Sequence, residues 1–169
     1  SVTYTTMKAI IIDDEKAAIS ALTDRLKAFS DIEIVGTTQK AQAGLKMVNE
    51  LKPDVLFLDV EMPEMSGLDF LEHLDTSSND CDVVMCTAYD DYMLPSFRSN
   101  AFDFLLKPVE HKELEIVIQR LLVNKEKKRN TAPSGDSVKK QDEENFLFYT
   151  NAIDFRLVRI KDIGIFQYN

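Results

Sequence analysis

Cysteine is scarce in this chain, positive charge is outnumbered, and no apolar run is long. The 169 residues include two cysteines, Cys81 and Cys86. Two do not make a disulfide framework, so a small stapled fold is excluded and reduced thiols are expected. Cys86 lies inside an apolar run and reads as a buried small hydrophobe. No stretch approaches the roughly 20 apolar residues that cross a bilayer. The N-terminus has no basic region followed by an apolar one, so no secretory signal is expected. These features predict a soluble, cytoplasmic protein with no membrane partner. Lys and Arg total 20 against 29 Asp and Glu, a net charge of −9. Neutralising a phosphate backbone needs surplus cations, so this chain alone is not expected to clamp nucleic acid.

What is present is an alternation of short apolar runs with helical stripes. At 44% hydrophobic the chain can bury one sizeable core and a fragment of a second. Strands are expected at 7–12, 32–35, 54–58, 82–86 and 102–106. Helical spacing predicts helices over 15–29 (Ala18, Leu22, Leu26, Phe29), around Ala41, Leu45 and Val48, and over 67–74 with Leu68, Leu71 and Leu74 facing inward. A further helix is expected over 90–99, with Asp90 as its cap and Pro95 kinking it. The strongest stripe, Leu114, Val117, Ile118, Leu121 and Leu122, predicts a helix that runs on into the charged Lys125–Arg129. Strand–helix alternation repeated five times predicts an α/β fold: a flavodoxin-like (βα)5 doubly wound parallel sheet with helices on both faces. Right-handed crossovers restrict the strand order, and 2-1-3-4-5 places strands 1 and 3 side by side.

The strand ends carry the chemistry. Ile10–Ile12 runs into Asp13 and Asp14, Val55–Leu58 into Asp59, Val83–Cys86 into Thr87, and Phe104–Leu106 into Lys107 and Pro108. In a parallel sheet these ends share one edge, where ligands bind in open α/β folds. Three carboxylates this close repel and need a cation. Mg²⁺ takes hard oxygen ligands and keeps room for phosphate oxygens. Asp13 and Asp14 would hold it directly or through water, with Asp59 and the backbone carbonyl of Glu61 completing the protein ligands. Asp59 is then the nucleophile for a phosphoryl group, with Lys107 and Thr87 placed to meet the phosphoryl oxygens. A cis peptide at Lys107–Pro108 would turn the lysine inward. Taken singly, each residue has a plainer reading: a helix-start acidic pair, a strand-end threonine, a solvated lysine. Their combination outweighs those. His73 and His111 have no acids at ligand spacing and are read as surface residues; the Lys125–Arg129 run is read as a solvated helix end.

After Arg129 the composition shifts. The division expected is 1–6 as a tag remnant or N-terminal extension, 7–127 as the main domain, 128–144 as a linker, and 145–169 as the start of a second domain. The linker carries Pro133, Ser134, Gly135 and Ser137 with several charges. The last segment turns β-rich, with expected turns at Asn151–Ala152 and Lys161–Asp162, giving a short antiparallel β segment of two or three strands. It is too short for a core of its own.

From Met7 to about Lys127 the chain resembles the receiver domain of two-component response regulators. The motifs are Ile12-Asp13-Asp14-Glu15, Leu58-Asp59-Val60-Glu61-Met62-Pro63 with Gly67 after it, Thr87-Ala88, and Lys107-Pro108. The resemblance implies that Asp59 takes a phosphoryl group from a sensor histidine kinase with Mg²⁺. It also implies that Thr87 and Phe104 act as switch residues, coupling the site to the face made by the helix at 90–99, the strand at 102–106 and the last helix. Phe104 stands where many relatives have tyrosine. Tyr89-Asp90, the run Ala101–Pro108 and the β-rich tail are similar to LytTR-type (LytR/AlgR) regulators. Val158 to Phe166, with Asp162-Ile163, resembles the opening strands of their DNA-binding domain, with Ile165 where an aromatic is usual. The resemblance implies a truncated transcriptional regulator that dimerises on phosphorylation and reaches DNA only through a complete C-terminal domain.

Three rivals remain at this level. An aspartate-nucleophile phosphatase of the haloacid dehalogenase type uses a second acid two residues on, where this chain has Glu61. A flavin-binding module would want a Ser/Thr/Gly-rich phosphate loop where Asp13-Asp14-Glu15 stands. A stand-alone receiver would signal by protein contacts alone.

Overall fold

The computed structural model describes residues 6–74, 79–88, 101–130, 145–151 and 154–159. Within it the chain divides into two compact units at Leu122/Val123.

The first unit is built on five strands: β1 (Met7–Ile12), β2 (Ile32–Thr38), β3 (Val55–Asp59), β4 (Asp82–Thr87) and β5 (Asp103–Leu106). All pair in parallel, in the order β2-β1-β3-β4-β5, as the alternation predicts. The described helices are α1 (Lys16–Leu26), α2 (Ala41–Leu51), α3 (Gly67–His73) and α4 (His111–Asn130).

Both faces of the sheet are covered, which is why its strands are continuously apolar rather than alternating. The period of two divides them between two cores. Ala9, Ile11, Val55, Phe57, Val84, Cys86 and Leu105 pack with Leu22 and Leu26 of α1 and with Leu114, Val117, Ile118 and Leu121 of α4. Ile10, Ile12, Leu56, Leu58, Val83, Met85 and Phe104 pack with Ala41 and Val48 of α2 and with Phe70 and Leu71 of α3. Each fully buried Leu, Ile or Phe contributes about 1.5–3 kcal/mol of transfer free energy. The sheet is therefore a stiff base from which the strand-end loops project.

Differences from the sequence reading are local. α1 ends at Leu26, three residues short of Phe29, because its last turn tightens: the N–H groups of Ala28 and Phe29 reach back only three residues, to the carbonyls of Arg25 and Leu26. Phe29 still packs, half-buried, against the first core. In α3 an inward residue is Phe70, with no exposed surface, while Leu68 is only half-buried. The helix starts at Ser66, whose Oγ accepts from the N–H of Asp69 while the Asp69 carboxylate accepts from the N–H of Ser66. Leu71 and Leu74 are buried as the spacing predicts, Leu68 packs half-buried against the same core, and Phe70 joins them there. β5 begins at Asp103 rather than Phe102, and α4 carries on through residues 128–130, where a linker is expected. The expected helix over 90–99, its Pro95 kink, and the motif residues Tyr89 and Asp90 lie outside the described residues.

The second unit contributes an antiparallel pair, β6 (Asn145–Asn151) and β7 (Asp154–Arg159), with an irregularity between Tyr149 and Asn151. The Lys161–Asp162 turn and the stretch Ile163 to Phe166 fall outside the described residues.

Phe70→Ala empties a site in the second core beside Gly44 and Ile12. A loss of about 3–5 kcal/mol is expected, read as a lower urea midpoint at unchanged m-value; a loss under 1 kcal/mol would mean that α3 is not held by this contact.

Candidate functional site

The carboxyl ends of β1, β3, β4 and β5 deliver the expected residues to one open crevice of about 950 Å³, walled by Asp14, Asp59, Thr87 and Lys107 together with Met62 and Leu68. Asp13 follows the last residue of β1 and is held by main-chain bonds: its N–H donates to the Thr38 carbonyl at 3.2 Å, and its Oδ1 accepts from the Glu15 N–H at 2.9 Å. Asp59 closes β3, and its Oδ1 accepts from the Glu61 N–H at 3.3 Å. Lys107 follows β5 across a cis peptide to Pro108. Its N–H donates to the Thr87 carbonyl at 2.6 Å.

The lysine ammonium then bridges two acids, 2.6 Å from Asp13 Oδ2 and 3.3 Å from Asp59 Oδ1. Both carboxylates are buried, 4% and 6% exposed, whereas Asp14 is half-buried. One oxygen from each of Asp13, Asp14 and Asp59 lies within 4.8 Å of the others. Hard carboxylate oxygens at this spacing, two of them desolvated, fit a divalent cation of the Mg²⁺ type. The lysine already stands as the cation of the cluster.

The electrostatics follow from this crowding. Burial pushes the Asp59 carboxyl up to about 7; the hydrogen bond its protonated form donates to Asp14 and the charge of Asp13 add to the rise, while Lys107 and the Glu61 N–H oppose it. For Lys107 burial works downward. The hydrogen bond to Asp13 and the charges of Asp59 and Asp13 more than offset it and hold the ammonium above the usual lysine range. Cys86 pairs with Asp59 across β3 and β4. Burial pushes its thiol up to about 12, in keeping with the expected inert hydrophobe.

The other expected residues are placed as follows. Thr87 is buried at the crevice wall. The Glu61 side chain is exposed, and its main chain reaches Asp59 through the N–H. Phe104 is not in the crevice. It is 7% exposed in the second core, and by alternation it shares its sheet face with Met85 and Thr87. His73 and His111 are exposed, His73 bonded to the Asp69 carbonyl and His111 stacked on Phe29 at 5.2 Å.

Two features were not anticipated from the spacing. At Gly67 a Cβ would sit 2.9 Å from the Asp59 carbonyl oxygen, 3.1 Å from Val60 Cα and 2.5 Å from Met85 Cε. Its N–H donates to the Val60 carbonyl at 2.8 Å. The loop therefore closes against the backbone of Asp59, and only glycine allows that approach. Gln39 Nε2 donates to the Asp14 carbonyl at 2.9 Å and ties the β2–α2 loop to the acidic pair.

Residues 9–119 match the family described as the response regulator receiver domain. An uncharacterized response regulatory protein of Vibrio cholerae is 45% identical over 127 residues, covering 75% of this chain and 53% of that protein. The transcriptional regulatory protein BtsR of Escherichia coli is 44% identical over 115 residues, covering 68% of this chain and 48% of BtsR. This chain thus spans about half the length of the curated relatives it matches. Among solved structures, the response regulatory domain of mrkE from Klebsiella pneumoniae superposes with a TM-score of 0.64 at 29% identity, covering 72% of this chain and 99% of that one. The REC domain of AraT from Geobacillus stearothermophilus gives 0.65 at 25% identity, covering 74% and 99%.

Two outcomes are expected. Asp59 binds more protons folded than unfolded between about pH 4 and 7, so its contribution to stability is fully present below pH 4 and is lost as pH rises through 7. In EDTA, Asp59→Asn should therefore gain on wild type by about 1–2 kcal/mol between pH 5 and pH 8, less than the full shift because the crevice opens to water. A pH-independent difference in urea melts would refute it. Gly67→Ala should cost about 2 kcal/mol or more and slow any chemistry at Asp59, because the displaced atom is backbone; wild-type stability would contradict the close approach.

Proposed function

The chain belongs to the response regulator receiver family of two-component systems, and we propose that it takes a phosphoryl group on Asp59 from a sensor histidine kinase and thereby switches the output of a transcriptional regulator. The single observation that carries this reading is the Lys107 ammonium bridging Asp13 and Asp59 inside a cluster of three carboxylates.

Asp13, Asp14, Asp59 and the Glu61 carbonyl would hold Mg²⁺, which would neutralise charge on the transferring group. An Asp59 oxygen attacks phosphorus while the bond from phosphorus to the donor nitrogen breaks, and that nitrogen keeps the electron pair and takes up a proton. Lys107 turns from the Asp59 oxygen to a phosphoryl oxygen, and Thr87 donates its hydroxyl to another. Water attack later releases phosphate and restores the carboxylate. The domain thus catalyses its own modification and its reversal, turning over no external substrate. Thr87 and Phe104, on one face of neighbouring strands, would move together and alter a surface on which two copies pair.

Several further readings belong to this proposal. The relatives called transcriptional regulatory proteins and the β6–β7 hairpin support a LytTR-type DNA-binding domain as the output, complete only in a longer chain. A stand-alone receiver would need no such tail. Asp14, which lines the crevice, and the buried Asp13 beside it would repel a flavin phosphate. No helix among the described residues is long and apolar enough to cross a membrane; a cytoplasmic location is part of the proposal.

Intact mass after incubation with a small acyl phosphate and Mg²⁺ tests it. One added phosphoryl group per chain is expected, absent in Asp59→Asn and in EDTA. Lys107→Ala should lower the rate by about 10²-fold or more. Addition that survives Asp59→Asn would sink the assignment.

A further inference from the structure

Among the described residues, one other buried acid stands in an ion pair away from the crevice. Asp103 opens β5, is 1% exposed, and accepts from the Phe104 N–H at 2.8 Å. Its carboxylate also pairs with the Arg120 guanidinium, halfway along α4. That guanidinium lies 5.4 Å from the centroid of the Phe102 ring. One side chain of α4 therefore grips the first residue of β5 and the residue just before it.

The placement matters because of what β5 carries. It is a four-residue edge strand, hydrogen-bonded to β4 on one side. Phe104 lies in its middle, and it runs directly into Lys107. α4 is the helix that continues past Leu122 to Asn130. Apolar contacts between Leu105 and Leu114, Val117, Ile118 and Leu121 fix the distance between strand and helix but tolerate sliding. A charge pair with a buried carboxylate does not: Asp103 has no exposed side-chain surface while Arg120 keeps 24% of its own, so the pair adds little net stability over apolar side chains but has one favourable geometry and is costly to break. Stacking on Phe102 further restricts the guanidinium.

We propose that Asp103 and Arg120 form a positioning strut that carries changes at Lys107 along β5 into α4. The strut rests on the phosphoacceptor reading of Asp59. When Lys107 exchanges a carboxylate partner for a phosphoryl oxygen, the end of β5 shifts, and the pair makes α4 follow. Neither residue touches the crevice, so phosphorylation itself does not need them.

The test uses the full chain, wild type and the Asp103→Asn/Arg120→Gln double variant, which keeps hydrogen-bonding side chains of similar size and removes both charges. Intact mass after treatment with acyl phosphate and Mg²⁺ reads Asp59. Hydrogen–deuterium exchange with and without beryllofluoride and Mg²⁺ reads β5 and α4. Both proteins should take one phosphoryl group. In wild type the amides of β5 and α4 should respond together. In the double variant β5 should still respond, while the α4 response falls by about threefold or more. Arg120→Lys, which restores charge without the planar fork, should recover part of the α4 response. Should the amide pair not fold, Asp103→Leu/Arg120→Met replaces it with apolar side chains and carries the same expectation. An α4 response of wild-type size in a phosphorylated variant overturns the strut, as does a wild-type α4 that never responds. A wild type that takes no phosphoryl group overturns the reading of Asp59 first, and the strut with it.

Discussion

Everything at the carboxyl edge of this sheet depends on how three carboxylates are kept together. Asp13, Asp14 and Asp59 would push one another apart in the absence of a cation. The ammonium of Lys107 supplies one, and it comes from the far end of the chain: 94 residues separate it from Asp13 and 48 from Asp59. The site therefore exists only once β1, β3 and β5 are registered in one sheet. Its geometry is a property of the fold, and no local segment of the chain holds it.

The two-sided core makes that registration firm. Alternate residues of the same strands feed two separate apolar clusters, so a slip of one residue would exchange their contents. The strand ends are fixed in turn by main-chain bonds such as Val60 N–H to the Cys86 carbonyl and Lys107 N–H to the Thr87 carbonyl. The chemistry sits on rigid ends, and the groups free to move are side chains.

Much of this was legible in the sequence because the relevant signals are short-range. An apolar run that stops at Asp13, Asp59, Thr87 or Lys107 states both the strand and its polar end. The strand order follows from chain alternation and handedness. Features that depend on who approaches from elsewhere were not legible. Gly67 belongs to the motif that carries the resemblance, but nothing in the spacing says that the Asp59 carbonyl lies against it. Phe70 joins Leu71 and Leu74 in the core, where leucine spacing alone does not place it. Nothing in the run Ala101–Pro108 marks Asp103 as half of an ion pair, because its partner Arg120 lies 17 residues on, in α4. The run of α4 into Lys125–Arg129 was legible, by contrast, because Lys, Glu and Arg are good helix formers even where nothing apolar remains to be buried.

The burial of Cys86 has a consequence for chemical selectivity. A thiolate opposite Asp59 would be a better nucleophile than any carboxylate and would compete for electrophilic phosphorus. Packed under α1 and α4, with its thiol pushed up to about 12, the sulfur stays protonated throughout the physiological range. If Asp59 is the phosphoacceptor, the core thus silences the competing sulfur and leaves oxygen as the reacting atom, so that packing behind the sheet would decide which element is modified in front of it.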